Sequence, residues 1–165
     1  MKAIVVTDQA AGTAGMTLVE RPEPSAAIND VVVEVHASGF VPTELAWPST
    51  WTDRLDRDRT PSIPGHELAG VVTALGYGTR GLSVGQRVFG LADWYRDGTL
   101  AEYAAVEARN LAPLPRSEAR DRQTGTHREV DVAWERREVA CLDRHILGQG
   151  AVAIPVREAE HPLSY

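Results

Sequence analysis

Residues 63–90 read Ile63-Pro64-Gly65-His66-Glu67-Leu68-Ala69-Gly70-Val71-Val72, then a glycine-punctuated turn, then Val84-Gly85-Gln86-Arg87-Val88-Phe89-Gly90. Two titratable side chains, His66 and Glu67, stand side by side between two glycines and lead straight into a β-branched run. Glycine serves where the backbone takes positive φ or where another element comes close. A polar pair entering an apolar strand is costly to bury unless something satisfies or uses it. The stretch therefore predicts strands at 68–75 and 86–91 around a glycine turn, with His66 and Glu67 as candidate functional groups at the entry.

The flanking sequence reads the same way. At 30–36, Val31, Val33 and Val35 fall on one face at period two and Val32, Glu34 and His36 on the other, which predicts a half-buried antiparallel strand. Short β-branched runs lie at 2–7 and 16–20, and Pro22 and Pro24 then break the chain. Thr43 to Trp47 fits one helical turn with Pro42 at its start and Pro48 as its stop. The alternating charges Asp53, Arg54, Asp56, Arg57, Asp58 and Arg59 read as a solvated loop. A further strand is predicted at 98–106, and the run 110–115 closes the stretch. Many short strands without a long helical period make the chain mainly β, a barrel or sandwich with a few short helices.

The bulk properties narrow the class. The 165 residues are 43% hydrophobic and 24% charged, as in a soluble globular protein. No apolar run approaches the ~20 residues that span a bilayer, and the opening run is too short for a signal peptide. A net charge of −6 argues against a nucleic-acid or anionic-membrane surface, and a cytoplasmic protein is the expectation. The single cysteine, Cys141, excludes an internal disulfide and a multi-cysteine metal lobe.

Several pieces, taken in order, resemble the N-terminal, substrate-side domain of the medium-chain dehydrogenase/reductase superfamily, the alcohol dehydrogenase-like domain. They are the opening strand, Val31 to Val35 ending in Ala37-Ser38-Gly39, the Gly65-His66-Glu67 stretch, Val84-Gly85-Gln86-Arg87-Val88, Gly98-Thr99-Leu100-Ala101-Glu102-Tyr103, and Leu111-Ala112-Pro113-Leu114-Pro115. The resemblance covers residues 1–115. It implies a co-chaperonin-like β-barrel carrying the substrate side of a cleft, normally closed by a nucleotide-binding domain that follows.

The departures point to a branch. The zinc-dependent members place a cysteine after the Ser-Gly turn and use the histidine of Gly-His-Glu as a second ligand. Here that cysteine position holds Val41, and valine has no lone pair for a metal that needs three protein ligands. The expectation is no zinc. Phe40-Val41-Pro42-Thr43-Glu44 is closer to the zinc-free quinone oxidoreductase branch, which often has Asn-Pro-Val-Asp at this point. That resemblance implies hydride transfer from a nicotinamide, NADP(H), to a quinone or related carbonyl or alkene. Such chemistry needs alignment and a polarising donor more than a Lewis acid. Phe40, Val41, Thr43, Trp47, His66, Glu67, Trp94 and Tyr95 are the candidate residues of the substrate cleft. The resemblance also implies a small-molecule substrate and a homodimer.

Gly76-Tyr77-Gly78-Thr79-Arg80-Gly81 satisfies G-x-G-x-x-G literally. A dinucleotide site needs the third glycine to open a helix, whereas Leu82-Ser83-Val84-Gly85 leads into another strand, so this segment reads as a turn. Residues 116–165 change character. They are denser in charge and poorer in glycine, with Val132, Val139, Leu142 and Ile146 on one helical face and a strand-like run from Ala151. They show no βα alternation for a complete Rossmann domain, and His127, Glu129, Asp131, Cys141 and His145 match no ligand spacing. Two readings of this unassigned tail stay open: a truncated or frame-shifted product, motivated by the composition shift at Arg116, and a short appendage packed on the barrel. The alternatives to a reductase are a non-catalytic module binding a small ligand or protein, and an inactive fragment.

Overall fold

A computed structural model describes residues 1–114. The tail expectations for 116–165, and the domain boundary that rests on them, lie outside the described residues. Strands β1 (Lys2–Val5) and β2 (Thr17–Glu20) form an antiparallel pair. Strands β3 (Asp30–Gly39), β4 (Glu67–Leu75), β5 (Arg87–Leu91), β6 (Tyr103–Glu107) and β7 (Leu111–Pro113) form a five-stranded antiparallel sheet in the order β6-β3-β4-β5-β7. The architecture is mainly β, as the sequence implies. Single bridges, Ala3 with Ala101 and Val6 with Ser62, tie the small sheet to the segments leading into and out of the large one. The two sheets thus meet without a continuous ladder.

The deciding stretch behaves as read. The β4–β5 ladder runs from the Glu67–Leu91 pair to Val71–Arg87. Gly70 lies so close to β3 that a Cβ there would stand 2.0 Å from the Glu34 carbonyl oxygen. Register shifts in the β3–β4 ladder, between Val32 and Val33 and again between Val35 and Ala37, bend the sheet. Val31, Val33 and Val35 are buried as predicted, while Val32 is buried too, so the opposite face opens only from Glu34 onward.

Two predicted boundaries move. The helical turn expected at 43–47 is a 3-10 turn over Pro42–Ala46 that ends before Pro48, but Pro48 then opens a further short α-helix, α1 (Pro48–Trp51), at a first position where a missing N–H costs nothing. The strand predicted at 98–106 begins only at Tyr103. Residues 98–100 instead donate backbone hydrogen bonds to the 63–65 segment, Gly98 to Ile63 at 2.7 Å and Thr99 to Gly65 at 2.8 Å. A Cβ at Gly98 would lie 2.2 Å from the Gly65 carbonyl oxygen, so these segments are in backbone contact.

The core has two parts. Val31, Val33, Val35, Leu68, Val72, Val88 and Val106 fill the five-stranded sheet. Ala3, Val5, Val6, Phe40, Leu45, Ile63 and Leu100 pack between the small sheet and the 3-10 turn. Phe40, one of the cleft candidates, is 5% exposed and belongs to this second cluster. It follows directly on the end of β3 and packs inward beside Leu45.

Candidate functional site

The site gathers where the 3-10 turn, the 63–66 loop and the 92–97 loop meet. Pro42 starts the turn, and Glu44, three residues after Val41, reaches back to accept the Val41 backbone N–H at 3.0 Å. Its other carboxyl oxygen accepts the Gly65 backbone N–H at 3.1 Å. One buried carboxyl thus staples the turn to the loop that carries His66. Burial pushes the Glu44 pKa up and the nearby Glu67 carboxylate adds to it, against the two backbone donors. Gly65 takes φ +88° and a Cβ there would meet Thr99 Oγ1 at 2.9 Å, so no other residue fits without strain.

His66 is 6% exposed. Its ring stacks on Trp47 with centroids 5.6 Å apart, Trp47 stacks on Trp94 at 5.0 Å, and Trp94 lies tilted 6.3 Å from the imidazole. Burial lowers the His66 pKa to about 4, the Arg59 guanidinium contributing in the same direction and Asp93 in the opposite one. The imidazole is therefore neutral at pH 7. Its Nε2 stands 3.6 Å from Glu44 Oε2, beyond hydrogen-bond range. Its Nδ1 is buried with no hydrogen-bond partner.

The neighbouring loop shapes a groove of about 440 Å³ lined by Arg54, Leu91, Ala92, Asp93, Trp94, Tyr95 and Asn110. Arg54 pairs with Asp93 at 2.5 Å and lies over the Tyr95 ring at 4.5 Å. Arg59 donates to the carbonyl oxygens of Ser49 and Trp94.

The structure thus brings Trp47, His66 and Trp94 into one stack and places Tyr95 in the adjoining groove. Glu67 is half-buried at the first position of β4, where burial raises its pKa, and its carbonyl accepts Thr99 Oγ1–H at 2.9 Å. Val41 is half-buried and joined to the site through Glu44; Thr43 is exposed. Sequence reasoning missed Glu44, Arg54, Arg59 and Asp93 as parts of the site. The spacing of Glu44 from Val41, just after Pro42, is a capping signal that could have found it. Nothing in the alternating charge run separates Arg59, whose side chain is 12% exposed, from its solvated neighbours.

Residues 27–116 match the family described as alcohol dehydrogenase GroES-like domain. The chain belongs to this family. An L-threonine 3-dehydrogenase from Saccharopolyspora erythraea is 38% identical over 91 residues, 54% of this chain and 25% of that protein. The quinone oxidoreductase of Pseudomonas syringae pv. Tomato DC3000 is 25% identical, with a TM-score of 0.60 over 70% of this chain and 34% of that one. A cobalt- and zinc-bound alcohol dehydrogenase from Pyrobaculum aerophilum shares the fold, with a TM-score of 0.59 at 24% identity over 70% of this chain and 42% of that one. The chain thus spans well under half the length of these proteins. They do not separate zinc-using from zinc-free chemistry.

The position after Phe40 is an aliphatic valine, and no group of three or more His, Cys, Asp or Glu among the described residues could hold a metal ion. The described residues by themselves supply no three-ligand set for zinc. Nor do they make a dinucleotide cradle. Gly78 and Gly81 take φ +84° and +80° in a turn where Thr79 N–H donates to the Gly76 carbonyl, and the chain then enters strand β5, not a helix.

Proposed function

We propose that this GroES-like domain is the substrate-side part of a zinc-independent, nicotinamide-linked oxidoreductase that reduces a quinone or a related conjugated carbonyl or alkene. The observation that carries the reading is the Trp47–His66–Trp94 stack, an aromatic wall with a neutral, buried imidazole that opens to solvent at Trp94. A planar conjugated ring gains apolar burial and ring–ring attraction against such a wall, whereas a small charged amino acid would lose hydration there. Val41 agrees with a reaction that draws on alignment in place of a Lewis acid.

The work of the described residues is binding and water exclusion. Trp47 and Trp94 hold the ring plane, Glu44 fixes the loop that presents His66, and the Arg54–Asp93 pair braces the groove. A bound nicotinamide, NADPH by resemblance, would supply the hydride, and its site lies outside the described residues. The second reading is a binding module without catalysis, in which the aromatic stack holds a ligand and no hydride is transferred.

Equilibrium dialysis of the purified chain with 2,3-dimethyl-1,4-naphthoquinone, whose blocked ring positions spare Cys141 from addition, tests the proposal. Saturable binding that persists in EDTA is expected. Absence of saturable binding, or binding lost on chelation, would overturn it. NADPH consumption in the same mixture separates the reductase from the binding module.

A further inference from the structure

The described part of the molecule contains one buried side-chain polar atom without a hydrogen-bond partner, Nδ1 of His66. Such an atom is unusual, because an unmet buried donor or acceptor forfeits its hydration for nothing. It lies inside the aromatic stack, on a ring wedged by Trp47 and flanked by Trp94. The polar groups around it are spoken for. Both Glu44 oxygens accept backbone N–H groups, Asp93 holds Arg54 and the Tyr95 N–H, and Thr99 holds Ser38 and the Glu67 carbonyl.

We propose that His66 Nδ1 donates the hydrogen bond that receives and polarises the substrate's carbonyl oxygen. The assignment rests on the function proposed above and adds to it the atom that reads the oxygen. No close partner at Nε2 fixes the proton there, since Glu44 Oε2 is 3.6 Å away, so Nδ1 is free to carry it. A neutral imidazole is an adequate donor to a carbonyl, and in a dry site such a bond is stronger than in water. A phenyl ring at the same place would stack equally well and read nothing.

Access comes from Trp94. Its side chain is 53% exposed, the most open member of the stack, while its backbone is held by Arg59 and by the Asp93–Tyr95 turn. Rotation of the indole would open the Trp94 side of the imidazole while these backbone contacts keep the loop in place. An incoming planar ring then enters between the swung indole and the imidazole edge, still held by Trp94, with its oxygen on Nδ1.

The test pairs two probes with two proteins. Binding of 2,3-dimethyl-1,4-naphthoquinone and of 2,3-dimethylnaphthalene, its oxygen-free counterpart, is measured by equilibrium dialysis on the full chain and on His66→Phe. The wild-type chain is expected to prefer the quinone by about 3- to 10-fold, the worth of one net hydrogen bond. His66→Phe is expected to abolish that preference while keeping its affinity for the hydrocarbon. The infrared carbonyl stretch of the bound quinone should move to lower frequency in the wild-type complex relative to the free quinone. Equal affinity for the two probes in the wild-type chain, or a preference that survives His66→Phe, overturns the assignment to His66 and leaves the proposed function standing. Binding of neither probe overturns both.

Discussion

At the scale of single residues, the Glu44–His66 corner decides what the site can do. Glu44 bridges Val41 and Gly65, so Glu44→Ala leaves two backbone N–H groups without acceptors. The expected loss is about 2–4 kcal/mol of unfolding free energy in urea titrations, with Glu44→Gln losing less because one acceptor remains. His66 gives the fold an acid limb. Its pKa is about 4 when folded, against 6.5 ordinarily. Below pH 6.5 the unfolded chain takes up a proton that the folded one refuses, so stability falls as the pH drops from 6.5 towards 4, by about 3 kcal/mol on this group's account. Glu44 acts in the opposite sense: with its folded pKa raised, its contribution weakens as pH rises past 4.5. His66→Phe is expected to flatten the acid limb and to be at least as stable as wild type at pH 7, as followed by melting temperature against pH. A wild-type acid limb retained in the variant would show that the burial of His66 is not its source. The roles of these residues were only half legible. Gly-His-Glu announced a special loop, but that the carboxylate closest to the imidazole is Glu44, far earlier in the sequence, is a consequence of tertiary folding.

At the scale of elements, close approach governs the strand pairings. Gly70→Ala would drive a methyl group to 2.0 Å from the Glu34 carbonyl oxygen, and the β3–β4 ladder has to part to admit it. Gly85 takes φ +82°, and a methyl group there would have nothing within 4 Å, so Gly85→Ala meets only the backbone penalty. The expectation is about 1 kcal/mol for Gly85→Ala, and for Gly70→Ala a loss above about 3 kcal/mol or failure to fold, by urea unfolding. Similar losses at the two positions would show that close approach is not what fixes the ladder. The alternation in β3 and the glycine brackets around β4 were legible because strand period and positive φ act locally. The late start of β6 was not. Residues 98–100 have strand-like composition, but they give their backbone donors to the 63–65 segment, and a non-local partner leaves no periodic signal.

At the scale of the whole molecule, stability rests on two apolar clusters joined by few bridges. Val72 is fully buried in the five-stranded sheet and Leu18 is 67% exposed on β2. Val72→Ala is expected to lose about 2 kcal/mol and Leu18→Ala to stay within about 0.5 kcal/mol of wild type, by the same denaturant measurement. The mainly β architecture was legible because an entire set of short strands and turns points one way, while the division into two sheets linked through Ala3–Ala101 and Val6–Ser62 was not. The proposed zinc-free function turns at this scale on a site in which His66 is present and the position after Phe40 is the non-ligating Val41. Native mass spectrometry of the full chain, purified without chelator from zinc-supplemented cells, reads this out in one spectrum. A zinc-free site gives the mass of the polypeptide alone, which is the expected result. A species carrying one zinc ion per chain, lost in His66→Phe, would refute the zinc-free reading.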